Sequence, residues 1–289
     1  MLRQHPGIFL PDEKEIHYFN AEVSKFAPAY RIQNPRAQRP LTWYLSLFDN
    51  AEPSQLCGEF STSYLWDSEA PARICEMNQD IKLFASLRDP VQSVFSSYLY
   101  AIQLGQIGAN TTFEDALERY PQALEQTYYF RHLKRYYDQF PAANILVLFH
   151  HDVVADPAAE LSRLQGFLEV PRHMPPDLFE KSNTTARPRY PLLARAIRRT
   201  RMFAREHRLE RVIDASRAIG TAKLFAYLRS QTVSYDERPG IQPATEARLR
   251  QLFLQDVESL EELLQVTLPS WKPRPGSSTP EGKSSSYGT

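Results

Sequence analysis

Short continuous apolar runs alternate with helix-spaced apolar stripes along this chain of 289 residues. The run DIKLFASL, ending at Leu87, reads as a buried strand. Asp89 then stands at a capping position, with Pro90 as the first helical residue. Val91, Val94, Phe95, Tyr98 and Ile102 follow as one stripe at helical spacing. A second helix is predicted over residues 121–140, and ILVLF, residues 145–149, is a second buried strand. Asp156 and Pro157 open another helix that carries Leu161, Leu164 and Leu168 on one face. Residues 189–217 read as helical and basic. A last helix begins near Pro243 with Leu249, Phe253, Leu260 and Leu264 turned inward. Apolar strands alternating with helices predict an α/β fold, a parallel sheet covered on both faces. In such sheets ligands sit beyond the carboxyl ends of the strands. The pattern stops at Trp271. Residues 272–289 lack the apolar side chains that offset ordering entropy, so the domain is expected over 1–271 with a disordered tail.

Composition narrows the function classes. A formal net charge of +0 removes the bulk electrostatic case for nucleic acid or a membrane surface as partner. The charge is uneven, because nine arginines lie in residues 187–211 against only Glu206 and Glu210. Cys57 and Cys75 are the only cysteines, which indicates neither a disulfide framework nor a zinc site and fits a reducing, cytoplasmic setting. No apolar run approaches the roughly 18 residues of a membrane span. The residues after Met1, LRQHPG, do not form the apolar core of a signal peptide.

Two stretches carry candidate chemistry. In LRDPVQSVFSSY, residues 87–98, Arg88 sits where a strand gives way to a helix, and Ser96 lies eight residues on. A guanidinium fork and a hydroxyl can together hold one phosphate. An arginine there equally fits a surface or capping role. In HPGIFLPDEKEIHYFN, residues 5–20, Glu15 and His17 would face the same side of an extended stretch. A carboxylate beside an imidazole can act as a general base. A solvated glutamate and a packed histidine explain the pair as well. Arg187 and Arg189 fit either a clamp on an anion or a solvated basic loop. His150 and His151 have no evident third ligand for zinc and read as loop residues.

Taken in order, these stretches resemble the PAPS-dependent sulfotransferases, nearest to the heparan sulfate sulfotransferases and the bacterial enzymes similar to them. The resemblance rests on HPGIFLPDEKEIHYF, GEFSTSYL (residues 58–65) and LRDPVQSVFSSY, then YFRHLKRYYDQFP, ILVLFHHDVVADP, SNTTARPR and ARLRQLFLQDVESLEELL. It implies a P-loop NTPase-like three-layer fold and transfer of a sulfuryl group from 3′-phosphoadenosine-5′-phosphosulfate (PAPS) to a hydroxyl or amine, with a carbohydrate or small molecule as acceptor and no metal. It carries Arg88 and Ser96 onto the 3′-phosphate ligands, Glu15 onto the catalytic base and His17 onto the histidine beside it. Arg187 and Arg189 would hold the donor phosphate or an acidic acceptor. Phe60 stands where many relatives have a lysine that handles the acceptor, which argues against a heparan-like substrate. The family's first strand and phosphosulfate loop are expected to precede Met1, because MLRQHPGI already matches the helix that follows them. The chain as written is therefore expected to be inactive or aggregation-prone. A non-catalytic binding module of the same fold is the alternative.

Overall fold

The computed structural model describes residues 2–20, 22–23, 32–103, 106–108, 110–176, 178, 187–188, 232–233 and 240–274. Two parallel strand pairs organise them. Strand β1 (Ile8–Phe9) is followed in the chain by β2 (Glu22–Val23), β3 (Ile32–Gln33), α1 (Leu41–Ser46) and β4 (Leu56–Cys57). β1 pairs in parallel with β4, while β2 and β3 form a small antiparallel ladder. Then come α2 (Ala70–Met77), β5 (Leu83–Leu87), α3 (Pro90–Gln103), α4 (Phe113–Arg119), α5 (Tyr129–Tyr137) and β6 (Ile145–Phe149). β5 and β6 run parallel in register from Leu83 opposite Ile145 to Leu87 opposite Phe149. After β6 follow α6 (His150–Ala155), α7 (Pro157–Phe167), the antiparallel pair β7 (Arg187–Pro188) and β8 (Thr232–Val233), and α8 (Pro243–Leu264).

The continuous apolar run of β6 has a direct structural reading. Ile145, Val147 and Phe149 enter one core cluster, with Val94, Tyr98, Leu133, Leu249, Phe253 and Trp271. Leu146 and Leu148, on the other face, enter a second cluster with Ile8, Leu161 and Leu164. Side chains of a strand alternate between faces, so a strand with helices on both sides must be apolar at every position. Helices α3, α5 and α8 cover one face and α7 the other, giving the expected α/β layers. Leu249, Phe253 and Leu260 are buried on α8 as their spacing predicts, joined by Val257, while Leu264 packs partly buried against the same core.

The cap assignments hold in atomic detail. Asp89 Oδ1 accepts the Gln92 N–H at 3.1 Å, and Asp156 Oδ1 accepts the Ala159 N–H at 2.9 Å. The helix expected over 121–140 is shorter. Residues Pro121–Ala123 and Glu125–Thr127 form 3-10 turns, and α5 begins only at Tyr129. The break is held from a distance: the Asp256 carboxylate on α8 accepts the N–H groups of Phe130 at 3.1 Å and Arg131 at 3.3 Å. A carboxylate at that helix end satisfies the orphan donors and suits the dipole. Arg189 and most of the segment read as basic and helical lie outside the described residues.

Candidate active site

β1 runs into the segment that carries Glu15 and His17, and β5 runs directly into Arg88. After β1 the chain does not stay extended, contrary to the sequence reading. Glu15 and His17 both adopt left-handed backbone, with φ of 56° each. Between them Ile16 is 0% exposed in the main core. Left-handed backbone at a residue other than glycine costs of order 1–3 kcal/mol, and such strain concentrates at functional sites. Two side chains from beyond β3 hold this turn. Arg36 Nη1 donates to the carbonyls of Glu15 at 3.3 Å and Ile16 at 3.0 Å, while Arg36 Nη2 pairs with Glu13. Buried Asn34 donates to the carbonyls of His17 and Asn20, the latter at 3.1 Å.

The turn brings the predicted pair together. His17 Nε2 lies 3.4 Å from Glu15 Oε2, with the glutamate side chain 34% exposed and the imidazole 13%. Glu15 is therefore the more exposed of the two, with the histidine behind it. The segment after β4 supplies the rest. The Thr62 backbone N–H donates to Glu15 Oε2 at 3.1 Å, and the Thr62 hydroxyl lies 3.2 Å from both carboxylate oxygens. His17 N–H donates to Ser61 Oγ at 2.9 Å, and Ser61 Oγ donates to Glu59 Oε2 at 2.7 Å. Glu59 Oε1 also accepts the Tyr64 hydroxyl at 2.5 Å. Burial pushes the Glu59 pKa up; the hydroxyls of Tyr64, Ser61 and Tyr44 oppose that rise, and the charge of Glu15 adds to it. Phe60, 43% exposed, stands on the same segment with its ring edge-on to Phe84 of β5 at 5.2 Å.

A second part of the site forms at the ends of β5 and β6. A cavity of about 180 Å³ is lined by Arg88, Asp89, Gln92, His150, His151, Ser270 and Trp271. Its floor is anchored. Arg250 on α8 donates to Asp89 Oδ2 at 3.0 Å, to Glu246 Oε1 at 2.7 Å and to the Ser270 carbonyl at 2.7 Å. Burial pushes the Tyr129 pKa up to about 12, with Ser93 and the Arg88 backbone beside it opposing the rise. The His150 pKa is lowered by burial first, then by the charges of Arg88 and His151. Whole-ligand pockets run to roughly 300–1,000 Å³, so this cavity suits one anionic group of a larger molecule. A larger cleft of about 490 Å³, lined by Gln79, Asp80, Asp138, Gln139, Phe140 and Pro141, lies at the amino ends of the same strands. Its two aspartates and its position make it the poorer place for a polyanion.

Arg88 thus reaches the cavity that its position predicts. Ser96 sits half-buried further along α3 and is not among the lining residues. Arg187 lies in β7, opposite Val233, and Arg189 is outside the described residues. The sequence reading missed Asn34, Arg36 and Asp67 as supports, and missed His150 and His151 as cavity residues. The adjacency of the two histidines to the end of ILVLF was the available signal. Among the described residues, no group of three or more His, Cys, Asp or Glu side chains could hold a metal ion. No helix there is long and apolar enough to cross a membrane.

Parallel strands between helices thus carry a Glu–His pair after β1 and an arginine after β5. Residues 68–189 match the family model described as a sulfotransferase domain. The heparan sulfate glucosamine 3-O-sulfotransferase 3B1 of Homo sapiens is 29% identical over 180 residues, covering 59% of this chain and 42% of that protein. The heparan sulfate glucosamine 3-O-sulfotransferase 6 of the same organism is 32% identical over 143 residues, covering 47% and 41%. A sulfotransferase structure from Alicyclobacillus acidocaldarius superposes with a TM-score of 0.60 at 21% identity, covering 93% of this chain and 90% of that one. Over these stretches the chain is similar to the sulfotransferases, and its fold is theirs. It spans about two fifths of the length of these curated relatives.

Proposed function

We propose that the protein transfers a sulfuryl group from PAPS to a hydroxyl or amine of a carbohydrate or small-molecule acceptor, through a cytoplasmic domain over residues 1–271. The single observation that carries this reading is the Glu15–His17 pair, 3.4 Å apart, held in a doubly left-handed turn at the carboxyl end of β1. Relatives named as sulfotransferases of heparan sulfate favour a carbohydrate hydroxyl as the acceptor.

In the proposed reaction Glu15 takes the acceptor's proton as its oxygen or nitrogen forms a bond to sulfur. The bond from sulfur to the donor's 5′-phosphate oxygen breaks, and the electron pair leaves on that oxygen, so the products are the sulfated acceptor and PAP. As in phosphoryl transfer, placement and charge stabilisation do most of the work, and no metal is called for. Arg88 would take the donor's 3′-phosphate in the cavity it lines with Gln92 and His150. Ser96 would join it only if α3 or the bound donor shifts to bring its hydroxyl to the phosphate. Arg187 and Arg189 are proposed as further contacts to the donor phosphate or an acidic acceptor, because a guanidinium suits an anion.

The test is transfer of labelled sulfate from PAPS to an array of sugar and phenol acceptors. Glu15→Gln keeps the shape and removes the basicity, so turnover is expected to fall about 10²-fold or more with PAP affinity retained. Normal turnover in that variant assigns the proton to another group. Binding of PAP with no transfer to any acceptor favours the non-catalytic module.

A further inference from the structure

Behind His17 runs a chain of polar side chains, buried at Asn20 and Ser63, whose directions are forced. Asp67 Oδ1 accepts the backbone N–H groups of Glu69 at 2.8 Å and Ala70 at 2.9 Å. Its Oδ2 accepts Asn20 Nδ2 at 3.0 Å. A carboxylate that receives donors on both oxygens can face only the nitrogen of the Asn20 amide. Asn20 Oδ1 therefore faces Ser63, whose hydroxyl donates to it at 2.6 Å. A serine has one proton to donate. With that proton directed at Asn20, the 2.5 Å contact between Ser63 Oγ and His17 Nδ1 requires the imidazole to be the donor. Asn20 is 0% exposed and Ser63 1%, so water does not compete for these bonds. In a neutral ring with the proton on Nδ1, Nε2 is the bare nitrogen, and it is Nε2 that faces Glu15 Oε2 at 3.4 Å.

We propose that Asp67, acting through Asn20 and Ser63, sets the tautomer of His17 so that Nε2 receives the proton that Glu15 removes from the acceptor. This rests on the sulfuryl-transfer reading. The proton leaves the acceptor's O–H or N–H for Glu15 Oε2 and passes to His17 Nε2. Glu15 returns to its carboxylate form beside an imidazolium that keeps its Nδ1–H bond to Ser63. Asp67 touches no reacting atom and is a positioning residue. It also ties the tautomer to the start of α2, since the same carboxylate holds the N–H groups of Glu69 and Ala70.

Asp67→Asn reverses the chain with almost no change of volume. The variant's Oδ1 still accepts the Glu69 and Ala70 N–H groups, but its amide now donates to Asn20. The Asn20 amide turns over and donates to Ser63, Ser63 donates to His17 Nδ1, and the ring proton moves to Nε2. Ring nitrogen chemical shifts in ¹⁵N-histidine-labelled full-length protein read the tautomer directly. The expected result is Nδ1–H in the native protein and Nε2–H in Asp67→Asn. Sulfate-transfer turnover should fall on the order of 10²-fold, with the acceptor KM changed less than about twofold. Ser63→Ala, which leaves the start of α2 untouched, should also abolish the fixed Nδ1–H state. If it and Asp67→Asn both keep the native tautomer, the proposal is overturned. If the tautomer reverses in a protein that transfers no sulfate, Asp67 does control His17 and the sulfuryl-transfer reading is what fails.

Discussion

His132 should make the protein acid-labile in a predictable window. It is 4% exposed on α5, where its Nε2 donates to the Glu125 carbonyl at 2.6 Å. Its Nδ1 is buried with no hydrogen-bond partner among the described residues. Burial lowers its pKa from 6.5 to about 4; the hydrogen bond to the Glu125 carbonyl opposes that fall, and the charges of Arg135 and Arg131 add smaller lowering effects. The folded ring is thus neutral where the unfolded ring is already charged. Between those two values the unfolded chain binds more protons, so stability is complete above about 6.5 and is lost as the pH falls toward about 4. The full interval corresponds to about 3 kcal/mol, of which about 2 kcal/mol is lost by about pH 5. Urea unfolding of the native protein and of His132→Gln, at several pH values from about 7 to about 5, isolates this contribution. Glutamine does not titrate and can keep a donor toward Glu125, while all other titrations are common to both proteins. The native protein should lose about 2 kcal/mol more than the variant over that range. Stability curves that stay parallel to within about 0.5 kcal/mol refute the account of a neutral buried imidazole.

Two further outcomes follow from the cavity at the end of β5. Arg88→Ala removes a charged donor from the proposed 3′-phosphate site, so PAP should bind about 10- to 100-fold more weakly by calorimetry, as for a lost hydrogen bond to a charged group; unchanged affinity moves that phosphate elsewhere. Arg250→Ala leaves Asp89 and Glu246 without their guanidinium, whose side chain is 11% exposed in the folded protein. It should cost about 3 kcal/mol in urea unfolding, the low end for breaking a buried ion pair, whereas a loss below about 0.5 kcal/mol would mark the network as ordinary surface pairing.

Much of the scaffold was legible without coordinates because its rules are local. ILVLF is apolar at every position because β6 is covered on both faces. Asp89–Pro90 and Asp156–Pro157 announce helix starts because a capping carboxylate and a fixed φ act within three residues. Arg88 could be assigned to the sheet's ligand end because a strand-to-helix junction in a parallel sheet has only one such end.

The fine geometry of the site was decided elsewhere in the chain. Pattern predicted Glu15 and His17 side by side on a strand, yet they meet through two left-handed residues. Arg36, 21 residues beyond Glu15, and Asn34, 17 residues beyond His17, hold that turn. The proton positions on His17 follow from Ser63 and Asp67, which no periodicity connects to it. Asp256 sets where α5 begins from 126 residues beyond Phe130. The alternation of apolar strands and capped helices is specified along the chain, since burial patterns and caps depend on near neighbours. Which carbonyl is capped, which tautomer is held and which residue keeps an unfavourable φ were settled only by folding, because those energies come from donors and acceptors that it alone brings within hydrogen-bond distance.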